Sequence, residues 1–156
     1  MTRLEAWFLH LATLLVGGTG LVYAWMRYLA RPDDPFAVVN HPWQPATQHL
    51  HVVAAPLLVF AVGLIWKAHA WAGFRLRAAS RWASGVGLLA TAGPMVASGY
   101  LLQTATAPGW RTAWLAIHLV ASALWLGGYL VHQISSRRRL AAGGLAGSAH
   151  PSPTTR

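Results

Sequence analysis

Four long apolar runs, separated by short polar or proline-rich stretches, set the pattern of this chain. They extend from about Trp7 to Leu29, Gln48 to Trp71, Trp82 to Gln103 and Thr112 to Ile134. A helix of about 20 apolar residues crosses the hydrocarbon core of a bilayer, so each run predicts one transmembrane helix. The runs are continuous, unlike the short alternating segments of a membrane barrel.

The connections agree with that division. Residues 31–47 contain Pro32, Pro35, Pro42 and Pro45 and read as an irregular loop, with Thr47 as the expected N-cap of the second helix. Ala72 to Arg81 form a short basic turn, and Thr104 to Gly109 a tight connection broken by Pro108 and Gly109. Short links place successive helices antiparallel. The expectation is an all-α, integral membrane, up-and-down four-helix bundle over residues 1–136. Residues 137–156, rich in Gly, Ala, Ser and Pro, read as a disordered cytoplasmic tail. The first helix follows Arg3 but is too long for a signal-peptide core, and is kept as part of the mature protein.

Composition sharpens the membrane reading. The chain is 55% hydrophobic and 10% charged, and its only acids are Glu5, Asp33 and Asp34. The net charge of +9 does not imply nucleic acid, because the basic residues sit between the apolar runs, where membrane proteins carry topology signals. Nine of them (Arg3, Lys67, Arg75, Arg77, Arg81, Arg137, Arg138, Arg139 and Arg156) fall on the side of both termini, against Arg27, Arg31 and Arg111 opposite. The imbalance predicts that both termini lie in the cytoplasm. Trp7, Trp66, Trp71 and Trp82 mark one interface, and Trp25, Trp43, Trp110 and Trp114 the other.

Cysteine is absent, which excludes disulfides, thiolate-held clusters and covalently attached haem. Eight histidines remain as ligands for any redox centre. Ionisable groups inside membrane helices are costly and usually functional. His10 lies toward the inner end of the first helix, His49 and His51 open the second at the outer side, and the fourth carries His118 and His132. The last two are 14 residues apart, so they share a face at heights differing by about 21 Å. Stacked haems on one helix require that arrangement, with a second axial histidine for each from another helix. His10 suits the level of His132, and His51 or His49 that of His118.

His49 and His51 point about 200° apart, so one of them faces the bundle. His51 is followed by Ala54 and Ala55, which leave room for a ring edge, whereas His49 is followed by Val53 and Pro56. That favours His51, with His49 the alternative. Gly17, Gly18, Gly20, Gly127 and Gly128 would let backbone approach a flat macrocycle. Trp125, seven residues from both His118 and His132, is expected in the bundle core. His69 belongs to an interface beside Trp66, Lys67 and Trp71, His41 to the loop and His150 to the tail. The Arg137 to Arg139 run is a topology anchor near anionic lipid.

These features resemble the dihaem membrane cytochrome b family, which includes formate dehydrogenase gamma subunits, cytochrome b subunits of nickel–iron hydrogenases and small cytochrome b561-type proteins. The likeness lies in LEAWFLHLATLLVGGTGL, HLHVVAAPLLVFAVGL and IHLVASALWLGGYLVH, and spans about residues 4–135. It implies two non-covalent b-type haems, the inner one held by His10 with His132 and the outer one by His51 with His118. It also implies electron transfer between a periplasmic redox protein or oxidoreductase subunit and membrane quinone, with quinone near the inner level. The chain has short loops and no evident extension for docking a soluble partner.

Two other functions compete. A stand-alone oxidoreductase would pass electrons from superoxide or another small anionic donor to quinone, with Arg27, Arg31 and Arg111 attracting it. A haem-free anchor or metal-handling protein would use the histidines for packing or copper.

Overall fold

The computed structural model describes residues 2–32, 34, 36–76 and 82–147. They form α1 (Arg3–Tyr28), α2 (Gln44–Ile65), a π-helical turn (Trp66–Trp71), α3 (Ala72–Leu76), α4 (Trp82–Thr104) and α5 (Pro108–Gly147). No strand occurs among the described residues. Four helices, α1, α2, α4 and α5, are long and apolar enough to cross a membrane, and the chain is a multi-pass membrane protein. The all-α expectation holds.

Local chemistry explains the helix ends. Thr2 caps α1: its hydroxyl accepts from the Glu5 amide at 3.2 Å, and the Glu5 carboxylate accepts from the Thr2 amide at 2.7 Å. This reciprocal pair satisfies two orphan donors of the first turn. The second helix starts earlier than expected. Trp43, not Thr47, is its N-cap residue, and Pro45 stands in the first turn, where its fixed φ suits a helix and its missing N–H is no loss. Pro108 opens α5 in the same way, so a predicted breaker serves as a starter.

At the other end, α2 gives way at Trp66 to the π-helical turn that contains His69, and Ala72–Leu76 continue as helix rather than as a basic turn. The rest of that turn, residues 77–81, lies outside the described residues. Helix α5 runs on through Gly147, past the boundary expected at residue 136. Arg, Leu and Ala in RRRLAA are strong helix formers, which accounts for the continuation. Residues 148–156 lie outside the described residues.

Packing divides the chain into two units, Met1–Ala72 and Gly73–Arg156. In the first, α1 packs along α2, and its core is Leu9, Ala12, Val16 and Met26 against Ala54, Leu58, Ala61 and Ile65. In the second, α4 packs along α5, burying Ser98, Ala121 and Trp125. Small residues at Ala12, Ala54 and Ala61 permit close helix approach, the usual device where lipid removes the hydrophobic drive between helices. Large apolar side chains instead point outward, Leu14 at 72% and Val53 at 74% exposure among them, as lipid-facing positions require. Seven tryptophans at or near helix ends are exposed (Trp7, Trp25, Trp43, Trp66, Trp71, Trp82 and Trp110). Trp125 alone of the nine is buried, stacked on Tyr129 at 5.6 Å.

Candidate haem-ligand histidines

His51 stands two turns into α2, against the middle of α1. Its Nδ1 lies 3.0 Å from the Val16 carbonyl oxygen and 3.3 Å from Thr19 Oγ1. A carbonyl oxygen only accepts, so Nδ1 carries the proton in that bond. In neutral imidazole the lone pair then belongs to Nε2, the tautomer a metal-binding histidine adopts when its other nitrogen is held by backbone.

Gly20 makes this approach possible. A Cβ there would stand 2.9 Å from His51 Cε1 and 3.3 Å from Nδ1, closer than real side chains permit. By contrast, a Cβ on Gly18 would meet nothing within 4 Å. Among the glycines expected to admit a ring, Gly20 admits an imidazole. His49 is exposed, while His51 is half-buried against α1.

His118 is held in the same manner within the second unit. Its Nδ1 lies 2.9 Å from the Met95 carbonyl oxygen and 3.4 Å from Ser98 Oγ. A Cβ on Gly99 would stand 3.1 Å from His118 Cε1. The proton again belongs on Nδ1 and the lone pair on Nε2. His132, lower on α5, shares a hydrogen bond of 2.9 Å between its Nδ1 and Ser84 Oγ.

Helix α4 carries no histidine of its own, yet it positions those of α5. Ser84, Met95, Ser98 and Gly99, all on α4, shape the surroundings of both α5 histidines.

His10 is half-buried on α1, with its ring edge-on to Trp7 at a centroid distance of 6.3 Å. One turn beyond it, Thr13 is 4% exposed, and its hydroxyl has no hydrogen-bond partner among the described residues. His69 lies in the π-helical turn, half-buried between Lys67 and Trp71. His41 holds the loop by accepting from the Trp43 amide at 3.1 Å. His150 is outside the described residues.

His10 and His51 belong to the first unit, and His118 and His132 to the second. Among the described residues no three His, Asp or Glu side chains gather as a metal-binding group. The recurring feature is a single imidazole whose Nδ1 is engaged by the neighbouring helix. Axial ligation of haem iron needs one such nitrogen donor per side, rather than a cluster. Two of the residues that shape these positions, Thr19 and Ser98, escape a search for ligands because they are ordinary helix hydroxyls. No family model, curated protein or solved structure matches the chain.

Proposed function

We propose that this protein is a dihaem b-type membrane cytochrome that carries electrons between a periplasmic redox partner and the membrane quinone pool. His51 with His118 would hold the outer haem, and His10 with His132 the inner one. When bound, each haem supplies reversible one-electron carriage by its iron.

The observation that carries the proposal is the commitment of two imidazole Nδ1 atoms to backbone carbonyls, His51 to Val16 at 3.0 Å and His118 to Met95 at 2.9 Å. Those bonds fix the ring tautomer and orientation and raise the basicity of Nε2. They also satisfy the polar edge of each ring within its own hairpin, which a bilayer demands. His132 shares a hydrogen bond with the Ser84 hydroxyl, in which either partner can donate.

Neutral imidazoles suit this setting because they ligate iron without placing a charged side chain in lipid. The outward apolar faces of the helices would keep the intervening medium dry. The distribution of Lys and Arg, nine against three, supports cytoplasmic termini and hence a periplasmic outer level. A partner at the outer level and quinone at the inner one follow from the family resemblance.

Redox difference spectra of single-histidine variants test the assignment. His51→Ala and His118→Ala are expected to abolish the same haem signal, and His10→Ala and His132→Ala the other. Loss of different signals within either pair would overturn it.

A further inference from the structure

The two hairpins repeat one design. In α1 the Val16 carbonyl, the Thr19 hydroxyl and Gly20 surround His51. In α4 the Met95 carbonyl, the Ser98 hydroxyl and Gly99 surround His118. Carbonyl, hydroxyl and glycine occupy positions i, i+3 and i+4 in both.

The hydroxyls are also committed alike. Thr19 Oγ1 donates to Leu15 O at 2.7 Å, with Val16 O farther at 3.1 Å. Ser98 Oγ donates to Pro94 O at 2.6 Å, with Met95 O at 3.1 Å. The single hydroxyl proton therefore goes mainly to the carbonyl four residues back. Its oxygen lone pairs are left toward the imidazole N–H, as a second and weaker acceptor beside the carbonyl.

The histidine helices repeat in sequence as well. Leu50-His51-Val52-Val53-Ala54-Ala55 aligns with Ile117-His118-Leu119-Val120-Ala121-Ser122. Ala54 and Ala121 are both buried, as are Leu58 and Trp125 four residues on. In this register the counterpart of His49 is Ala116, so His51 is the histidine that the repeat retains.

We infer that the chain is a tandem repeat of one histidine-bearing hairpin, in which Thr19 and Ser98 are matched positioning residues for His51 and His118. Each hydroxyl shares the Nδ1–H with a backbone carbonyl, and so sets how strongly the imidazole donates through Nε2. This inference rests on the proposed ligation of one haem by His51 and His118. A hydrogen bond accepted from Nδ1–H makes the imidazole more basic and favours ferric iron. Removing the hydroxyl weakens that donation and favours ferrous iron. With His51 and His118 as ligands of one haem, as proposed, both removals act on that haem, and the matched geometry gives them the same direction.

The test is redox titration of the purified full chain, followed by haem absorption, for Thr19→Val, Ser98→Ala, the double variant, Thr19→Ser and Ser98→Thr. Thr19→Val keeps the side-chain volume and loses only the hydroxyl. Thr19→Val and Ser98→Ala are each expected to raise the midpoint potential of the same haem, shifting its ferrous-to-ferric ratio at fixed potential several-fold. The double variant is expected to multiply the two shifts. Thr19→Ser and Ser98→Thr, which keep the hydroxyl, are expected to titrate as the unaltered protein does. Loss of the outer haem from Thr19→Val but not from Thr19→Ser equally supports the hydroxyl's role. Unchanged potentials with haem fully retained would overturn the inference while leaving the cytochrome proposal standing, and shifts in different haems would overturn both the inference and the pairing of His51 with His118. A preparation without haem would instead overturn the cytochrome proposal on which the inference rests.

Discussion

The Nδ1 of His118 lies 2.9 Å from the carbonyl oxygen of Met95, one helix away. The partner is main chain, so no side-chain substitution at residue 95 removes it directly. What protects the contact is the absence of a side chain at Gly99, whose Cβ would stand 3.1 Å from the imidazole. The same dependence holds more tightly at Gly20 and His51, where the distance is 2.9 Å.

Glycine substitutions therefore separate close approach from general packing. Gly20→Ala is expected to displace the His51 ring, costing about 1–3 kcal/mol as overpacking does. It should halve the haem bound per chain. Gly99→Ala should act on the same haem, more mildly. Gly18→Ala, with no atom within 4 Å of its Cβ, should leave haem content unchanged. Pyridine haemochrome assays on the three purified variants check this.

The second helix offers a similar discrimination. His49 is exposed and His51 packs against Val16 and Thr19. His49→Ala is expected to retain both haems, whereas His51→Ala loses the outer one, as read by redox difference spectra. Loss of the outer haem from His49→Ala alone would reverse the assignment.

Thr13 carries a buried hydroxyl with no partner among the described residues. An unsatisfied buried hydroxyl costs about 1–3 kcal/mol. Thr13→Val keeps the volume and removes that cost, so thermal unfolding in detergent is expected to shift upward or stay level. A large downward shift would reveal a hydroxyl engaged by something that the protein chain does not provide.

Lipid exposure is testable at Val53, which is 74% exposed near the middle of α2. Lys at a helix centre costs about 2.5–3.5 kcal/mol on insertion scales. Val53→Lys is expected to lower the membrane-inserted fraction severalfold in a glycosylation-mapping assay. Val53→Leu should not.

Much of this was legible in the order of residues. The four apolar runs lead to four membrane-length helices because lipid offers backbone polar groups no partners, and a helix satisfies them within one segment. Helix ends were less legible, since Pro45 and Pro108 read equally as loop residues and as first-turn residues. The π-helical turn at Trp66–Trp71 leaves no mark that periodicity detects in so short a stretch.

The partners of the histidines were the least legible part. Val16 and Met95 contribute only carbonyls, which every residue possesses, so their identity carries no signal. Thr19 and Ser98 look like helix hydroxyls satisfied by their own backbone, and they are that too. The readable trace was the repetition of Leu-His-Val-Val-Ala-Ala as Ile-His-Leu-Val-Ala-Ser. Laid side by side, those two segments single out His51 and His118 by residue order alone.

The most direct measurement is the reduced-minus-oxidised absorption spectrum of the detergent-purified chain, with haem quantified by pyridine haemochrome. The account predicts b-type bands and about two haems per chain, as two bis-histidine pairs require. A protein purified from haem-replete cells that is folded and helical yet shows no b-type haem would contradict it.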